Sequence, residues 1–244
     1  MARSARPRTA ARFAALALGC ALALTPMAAQ AYTDSEVIDG FKKTVFGSEY
    51  PGLFSTGSYV RKFNGTVRMH VSSFSPSLKA EVERFARSLN GLISGLRLRI
   101  VNDPERANFR VFVTTKANYE TTVQRSVYGN RTAAVRGKCM VRSKFTRNGI
   151  SRSDAVIVGD DSRSLFRRCM TEEILQGLGP LNDDPSLIHS MFNDRSRYTA
   201  FRRFDRLILN MLYDRRIENG MSVSQAAELL PRVLRDVRRN IRQR

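Results

Sequence analysis

Hydrophobic residues recur along this chain with two different periods, and the switches between them mark out its elements. Within residues 33–46, Val37, Phe41 and Val45 fall on one side of a predicted helix, which Gly47 ends. Residues 66–72 alternate instead. Val67, Met69 and Val71 share one face and Arg68, His70 and Ser72 the other, the pattern of a half-buried strand with His70 toward solvent. Ser75 and Pro76 read as an N-cap and a proline at the first helical position, and Leu78, Val82, Phe85 and Leu89 give the helix that follows one buried stripe. Alternation returns at Leu96, Leu98 and Ile100, and again at Phe109, Val111 and Val113. Residues 51–57 read as a loop and 117–127 as a weakly patterned helix. Cys139, Val141, Ser143 and Phe145 alternate, and the Asn148-Gly149 turn leads into a strand ending at Val158. After Asp160 only helices and loops are predicted. The order of elements predicts an α/β (α+β) fold, one twisted mixed sheet with packed helices, sheet-rich over 60–160 and helical over 161–244.

The first 31 residues stand outside this rhythm. Arg3, Arg6, Arg8 and Arg12 precede an apolar run, 13–24, which Thr25 and Pro26 break, and Ala29-Gln30-Ala31 carries the small-x-small pattern of a signal-peptidase site. The run is shorter than the roughly 20 residues that span a bilayer. Residues 1–31 are therefore expected to be a cleaved signal peptide, with an N-terminal membrane anchor and, more weakly, a lipoprotein signal at Cys20 as its rivals, and 32–244 a single domain exported to the periplasm or beyond. The mature chain has no transmembrane segment by this reading. The leader takes four arginines and no acid from a formal net charge of +19, so the mature chain stays strongly basic. It also takes Cys20. Cys139 and Cys169 remain and are expected to be bridged in an oxidising compartment; two buried free thiols are the alternative.

Residues 162–178 read as a helix closed by Gly177, Gly179 and Pro180. At helical spacing Leu165, Cys169, Glu172 and Gln176 lie within about 60° of one another, with Glu173 beside them. Carboxylates and an amide on a stripe with leucine and cysteine are partly buried polar groups, which need partners and are also the material of active sites.

Around these residues the sequence resembles the metzincin type of zincin metallopeptidase, whose helix bears H-E-x-x-H-x-x-G-x-x-H. Here the segment runs Glu172-Glu173-Ile174-Leu175-Gln176-Gly177-Leu178-Gly179-Pro180-Leu181-Asn182. Glu173 and Gly179 keep the general-base and turn positions, while the three ligand positions hold Glu172, Gln176 and Asn182. His189-Ser190-Met191-Phe192 sits where a matrixin-like protein has its methionine turn, which places Met191 beneath the cleft. Asp205 through Leu212-Tyr213 resembles the closing helix. The sequence is more closely similar to an uncharacterised secreted bacterial family, a domain of unknown function, with the pattern C-x-x-E-E-x-x-Q-x-L-G…N-D and a later L-Y-D…G-M-S. Cys169, Glu172, Glu173, Gln176, Leu178, Gly179, Asn182 and Asp183 carry the first part, and Leu212, Tyr213, Asp214, Gly220, Met221 and Ser222 the second.

The departures bear on activity. Zinc prefers imidazole and thiolate, and the only histidines are His70 and His189, so a zinc cofactor and a conventional zinc peptidase are not expected. Three readings remain. The first is a pseudo-peptidase, a non-catalytic binding or scaffold module of the cell envelope. The second is another kind of hydrolase, with Glu173 as general base on water, Glu172 as acid or electrostatic partner, and Gln176 and Asn182 orienting substrate; in one variant Glu172, Gln176, Asn182 and Asp183 offer oxygens to a hard divalent cation. In the third, the helix polar groups form a satisfied network and the working surface lies elsewhere. For such a surface the C-terminal stretch is the candidate. Leu230, Val233, Leu234, Val237 and Ile241 share a face, and Arg232, Arg235, Arg238, Arg239, Arg242 and Arg244 fill most of the rest. That is a docked helix with a solvated basic face, or an attachment to an anionic envelope surface at about 1 kcal/mol per well-placed charge. Export, and the lack of a basic motif interleaved with aromatics, argue against nucleic acid as the partner.

Overall fold

The computed structural model describes Met1 and residues 32–47 and 59–242. The expected signal sequence with its Ala29-Gln30-Ala31 pattern and the loop 51–57 lie outside the described residues.

The chain from Tyr32 onward forms one compact unit. α1 (Asp34–Phe46) opens with a capping box, Thr33 accepting from the Glu36 backbone while the Glu36 carboxylate accepts from the Thr33 N–H. Four strands, β1 (Val67–Ser73), β2 (Leu98–Ile100), β3 (Phe109–Thr114) and β5 (Gly149–Val158), run parallel, and β4 (Cys139–Thr146) pairs antiparallel with β5 at the edge. The order across the sheet is β2-β1-β3-β5-β4. α2 (Pro76–Leu92) makes the crossover between β1 and β2, capped by Ser75 with Pro76 in its first turn as the sequence predicts. β2 is shorter than the alternation at 96–100 suggests, because the turn that ends α2 still holds Leu96 through its bond to Ile93.

The two sheet faces are covered unequally. Val67, Met69, Val71, Phe109, Val111, Ala155 and Ile157 join α2 and α4 (Arg163–Gln176) in one large apolar cluster. On the other face Val156 and Val158 pack against Tyr119, Val123 and Val127, from a helical stretch that passes from a 3-10 turn through one α turn into a π turn. β5 is therefore buried on both sides, as a central parallel strand must be. α5 (Arg203–Leu212) and α6 (Val223–Arg242) pack on α1 and complete the helical half. Ser222 accepts from the Gln225 backbone at the start of α6, and Pro231 lies inside that helix.

The expected disulfide is present. Cys139, the first residue of β4, is bonded to Cys169 in α4 across thirty positions of sequence. It joins the edge strand, which has a neighbour on one side only, to the helix beneath the sheet.

Candidate functional site

α4 starts as a surface helix and ends in the core. Its first turns expose Arg163, Ser164 and Arg167, whereas every residue from Cys169 to Pro180 is buried. The apolar stripe predicts one buried side; the structure buries the second half all round, because the sheet covers one side and the 178–213 segment folds back over the other. Thr171, Glu172, Glu173 and Gln176 are consequently withdrawn from solvent.

Withdrawn polar groups need partners, and α4 finds them locally. Arg168, one turn before Glu172, places its Nε 3.2 Å from the Glu172 carboxylate and donates from a second nitrogen to the Asp194 carbonyl at 2.9 Å. The Gln176 amide donates to the Asp183 carboxylate at 2.8 Å. Oxygens of Glu172, Asp183 and Asp194 all lie within 4.8 Å of one another. A half-buried guanidinium thus pairs with Glu172, one of three acids whose oxygens converge. Sequence reasoning singles out Glu172 and Asp183 but not Asp194, which lies in an irregular segment where no periodicity points inward. In the sequence the Arg167-Arg168 pair beside Cys169 reads as surface, or as charge that tunes nearby carboxylates, and the fold turns Arg168 toward Glu172.

The other candidates separate. Asn182 turns away from this cluster, its amide donating to the Lys43 carbonyl at the end of α1 while its backbone N–H bonds Thr44. Glu173 is buried, and its charge is felt at Tyr119, whose hydroxyl pKa is raised first by burial and then by that carboxylate. His189 packs against Tyr32, ring centres 5.1 Å apart. Gly179 has φ +144°, and a Cβ there would meet the Arg61 carbonyl at 2.6 Å and Leu212 Cδ2 at 2.7 Å. Gly179→Ala is expected to destabilise the domain by about 2–4 kcal/mol through strain and overpacking together, read as a lower urea midpoint at unchanged slope.

Met191 is fully buried, and one acid holds its turn. Asp205 on α5 accepts from Ser190 Oγ at 2.6 Å and from the Met191 N–H at 3.1 and 3.2 Å. Burial pushes the Asp205 carboxyl up to about 7, against the lowering effect of those donors. At the far end of α5, Tyr213 donates its hydroxyl to the Leu178 carbonyl at 2.9 Å, which fixes the exit of α4.

A zinc ion does not fit this donor set. The three positions of the zincin pattern offer one carboxylate already paired with Arg168 and two amides, and the Asn182 amide is engaged on α1. Glu172, Asp183 and Asp194 are the described residues with oxygens close enough to share a hard cation.

Residues 34–232, more than half of the chain, match the model of the family described as "Protein of unknown function (DUF2927)". No curated protein matches the chain.

Proposed function

We propose that this chain, which belongs to the family of proteins of unknown function DUF2927, is an exported, non-catalytic binding or scaffold module of the cell envelope, built on a zincin-like frame that has lost its metal. The observation that carries the reading is the engagement of the ligand positions in internal bonds: Glu172 with Arg168, Gln176 with Asp183, Asn182 with Lys43. The zincin-like frame is supported by the long helix under the sheet, the positive-φ Gly179 after it, and a methionine turn held from the closing helix by Asp205. Export to an oxidising compartment is supported by the Cys139–Cys169 bridge and by the leader-like start of the sequence. Among the described residues no helix is long and apolar enough to cross a membrane.

A second reading, a hydrolase with Glu173 as general base and a hard divalent cation, draws on the converging oxygens of Glu172, Asp183 and Asp194. The Arg168 guanidinium already supplies positive charge to that cluster, which favours the first reading. Elemental analysis of protein purified from the periplasm without chelators, together with calorimetric titration of Ca²⁺ and Mg²⁺, separates the two. The binding-module reading expects no stoichiometric zinc and no saturable uptake of either cation. About one equivalent of a divalent ion, lost on Asp183→Asn, would overturn it in favour of the hydrolase.

A further inference from the structure

A cavity of about 480 Å³ lies away from α4, where the segment before β1, the β4–β5 turn and the loop after α5 meet. Its frame is held by the Asn219 side chain and one backbone bond. Asn219 accepts from the Lys62 N–H at 2.7 Å and donates to the Asn148 carbonyl, and Ile150 donates to the Lys62 carbonyl. Gly149, at φ +113°, lets the turn approach so closely that a Cβ would stand 2.5 Å from the Lys62 carbonyl.

The lining is cationic and polar. Lys62, Arg147 and Arg215 face a single acid, Glu218, and Asn64 and Asn148 add amides. Lys62 is the unusual member. Its ammonium donates to the Leu212 and Asp214 carbonyls at 2.7 and 3.1 Å, which caps the end of α5 and leaves one of its three N–H groups for another acceptor. No carboxylate of the described residues forms an ion pair with it. Burial accordingly pulls its pKa down to about 8, although Asp214 and Glu218 act against that. Arg215 is exposed and has no partner among the described residues, and Arg147 rests only over the Tyr59 ring. A half-buried ammonium that forms no direct ion pair, flanked by two exposed arginines, is suited to an anion with several oxygens. The neighbouring depression shares Arg215, but its Asp214 and Asp236 are both taken by Arg216 at 2.8 Å, so it adds no comparable site.

We infer that this cavity binds the phosphate of a phosphorylated polyol, Lys62, Arg147 and Arg215 taking the phosphate oxygens while Asn64, Asn148 and Glu218 take the hydroxyls. The volume exceeds what a bare phosphate fills and lies in the range of small-ligand pockets, and the amide and carboxylate lining gives hydroxyl groups both donors and acceptors. The cavity shares no residue with the α4 site. The same chemistry has two sources, a free phosphorylated polyol or the headgroup of a phospholipid.

The purified chain is titrated calorimetrically with glycerol 3-phosphate and with orthophosphate, and separately sedimented with phosphatidylcholine vesicles with and without phosphatidylglycerol. Saturable binding is expected, tighter for glycerol 3-phosphate than for orthophosphate, or else dependent on phosphatidylglycerol. In whichever arm binds, Arg147→Ala with Arg215→Ala is expected to weaken it about tenfold or more. Arg97→Ala with Arg99→Ala removes the same charge from exposed positions elsewhere and is expected to leave it unchanged. The arginines of both pairs are exposed, so their variants keep the fold, which thermal melting verifies. Binding in the free arm assigns a soluble ligand, and binding in the vesicle arm alone assigns a headgroup. No saturable binding in either arm, or equal weakening by the control pair, overturns the site.

Discussion

Asp205→Ala is expected to cost the domain about 4 kcal/mol near neutral pH. The substitution strands two buried donors, Ser190 Oγ and the Met191 N–H, and opens a void beneath a turn that carries the fully buried Met191 and Phe192. Each unsatisfied buried group costs about 1–3 kcal/mol, and the unfilled volume adds to that. Urea denaturation read by circular dichroism gives the number; a loss under about 1 kcal/mol would mean that the turn holds without its acid. Asp205→Asn tests the charge separately. The carboxyl titrates at 3.8 when unperturbed and at about 7 in the folded protein. Below about pH 4 both states carry the proton. Between pH 4 and 7 the native state still holds it while the unfolded chain has released it, so the contribution of this group to stability falls as pH rises through that window. Relative to Asp205→Asn, which cannot titrate, the wild type is expected to lose about 3 kcal/mol between pH 4 and pH 7. A constant difference across that range would remove the buried-acid account.

Opening the Cys139–Cys169 bridge by replacing both residues with serine is expected to cost about 3.6 kcal/mol, by the loop-closure entropy of a crosslink across thirty positions. For a domain of this size that lowers the melting temperature by roughly 7–14 °C. The loss has a location as well as a size. β4 is hydrogen-bonded on one side only, so without its tie to α4 the strand should fray, and amides of Met140 and Val141 should exchange faster than those of Val111 on the central strand. If the chain is exported and loses its leader as proposed, thiol titration of protein recovered from the periplasm is expected to find no free thiol. Two reactive thiols there would contradict both the bridge and the oxidising compartment.

Much of the frame is legible in the sequence because it rests on local signals. Ser75-Pro76 starts α2, Ser162 caps α4 through the Leu165 N–H, and Asn148-Gly149 turns β4 into β5; each needs only a few neighbouring residues. The alternation at Val67, Met69 and Val71 identifies the buried face of β1 for the same reason. The site was legible only in part. The spacing of Glu172, Gln176 and Cys169 puts them on one side of a helix, but it does not reveal that Arg168 turns in to meet Glu172, that Asp194 returns from twenty residues downstream, or that Asn182 leaves the cluster to bond α1. The cationic cavity left no trace in the sequence at all. Lys62, Arg147 and Arg215 are far apart in the chain and sit in segments without periodicity.

The sequence alone determines the elements and their order, since these follow from periodicity and capping acting over a few residues. The tertiary structure decides which polar side chains share a buried space, because that depends on contacts between segments such as α1 and Asn182, or Asp205 and Met191. A carboxylate's environment is set by what folds over it, and no local pattern encodes a neighbour that another segment of the chain brings in.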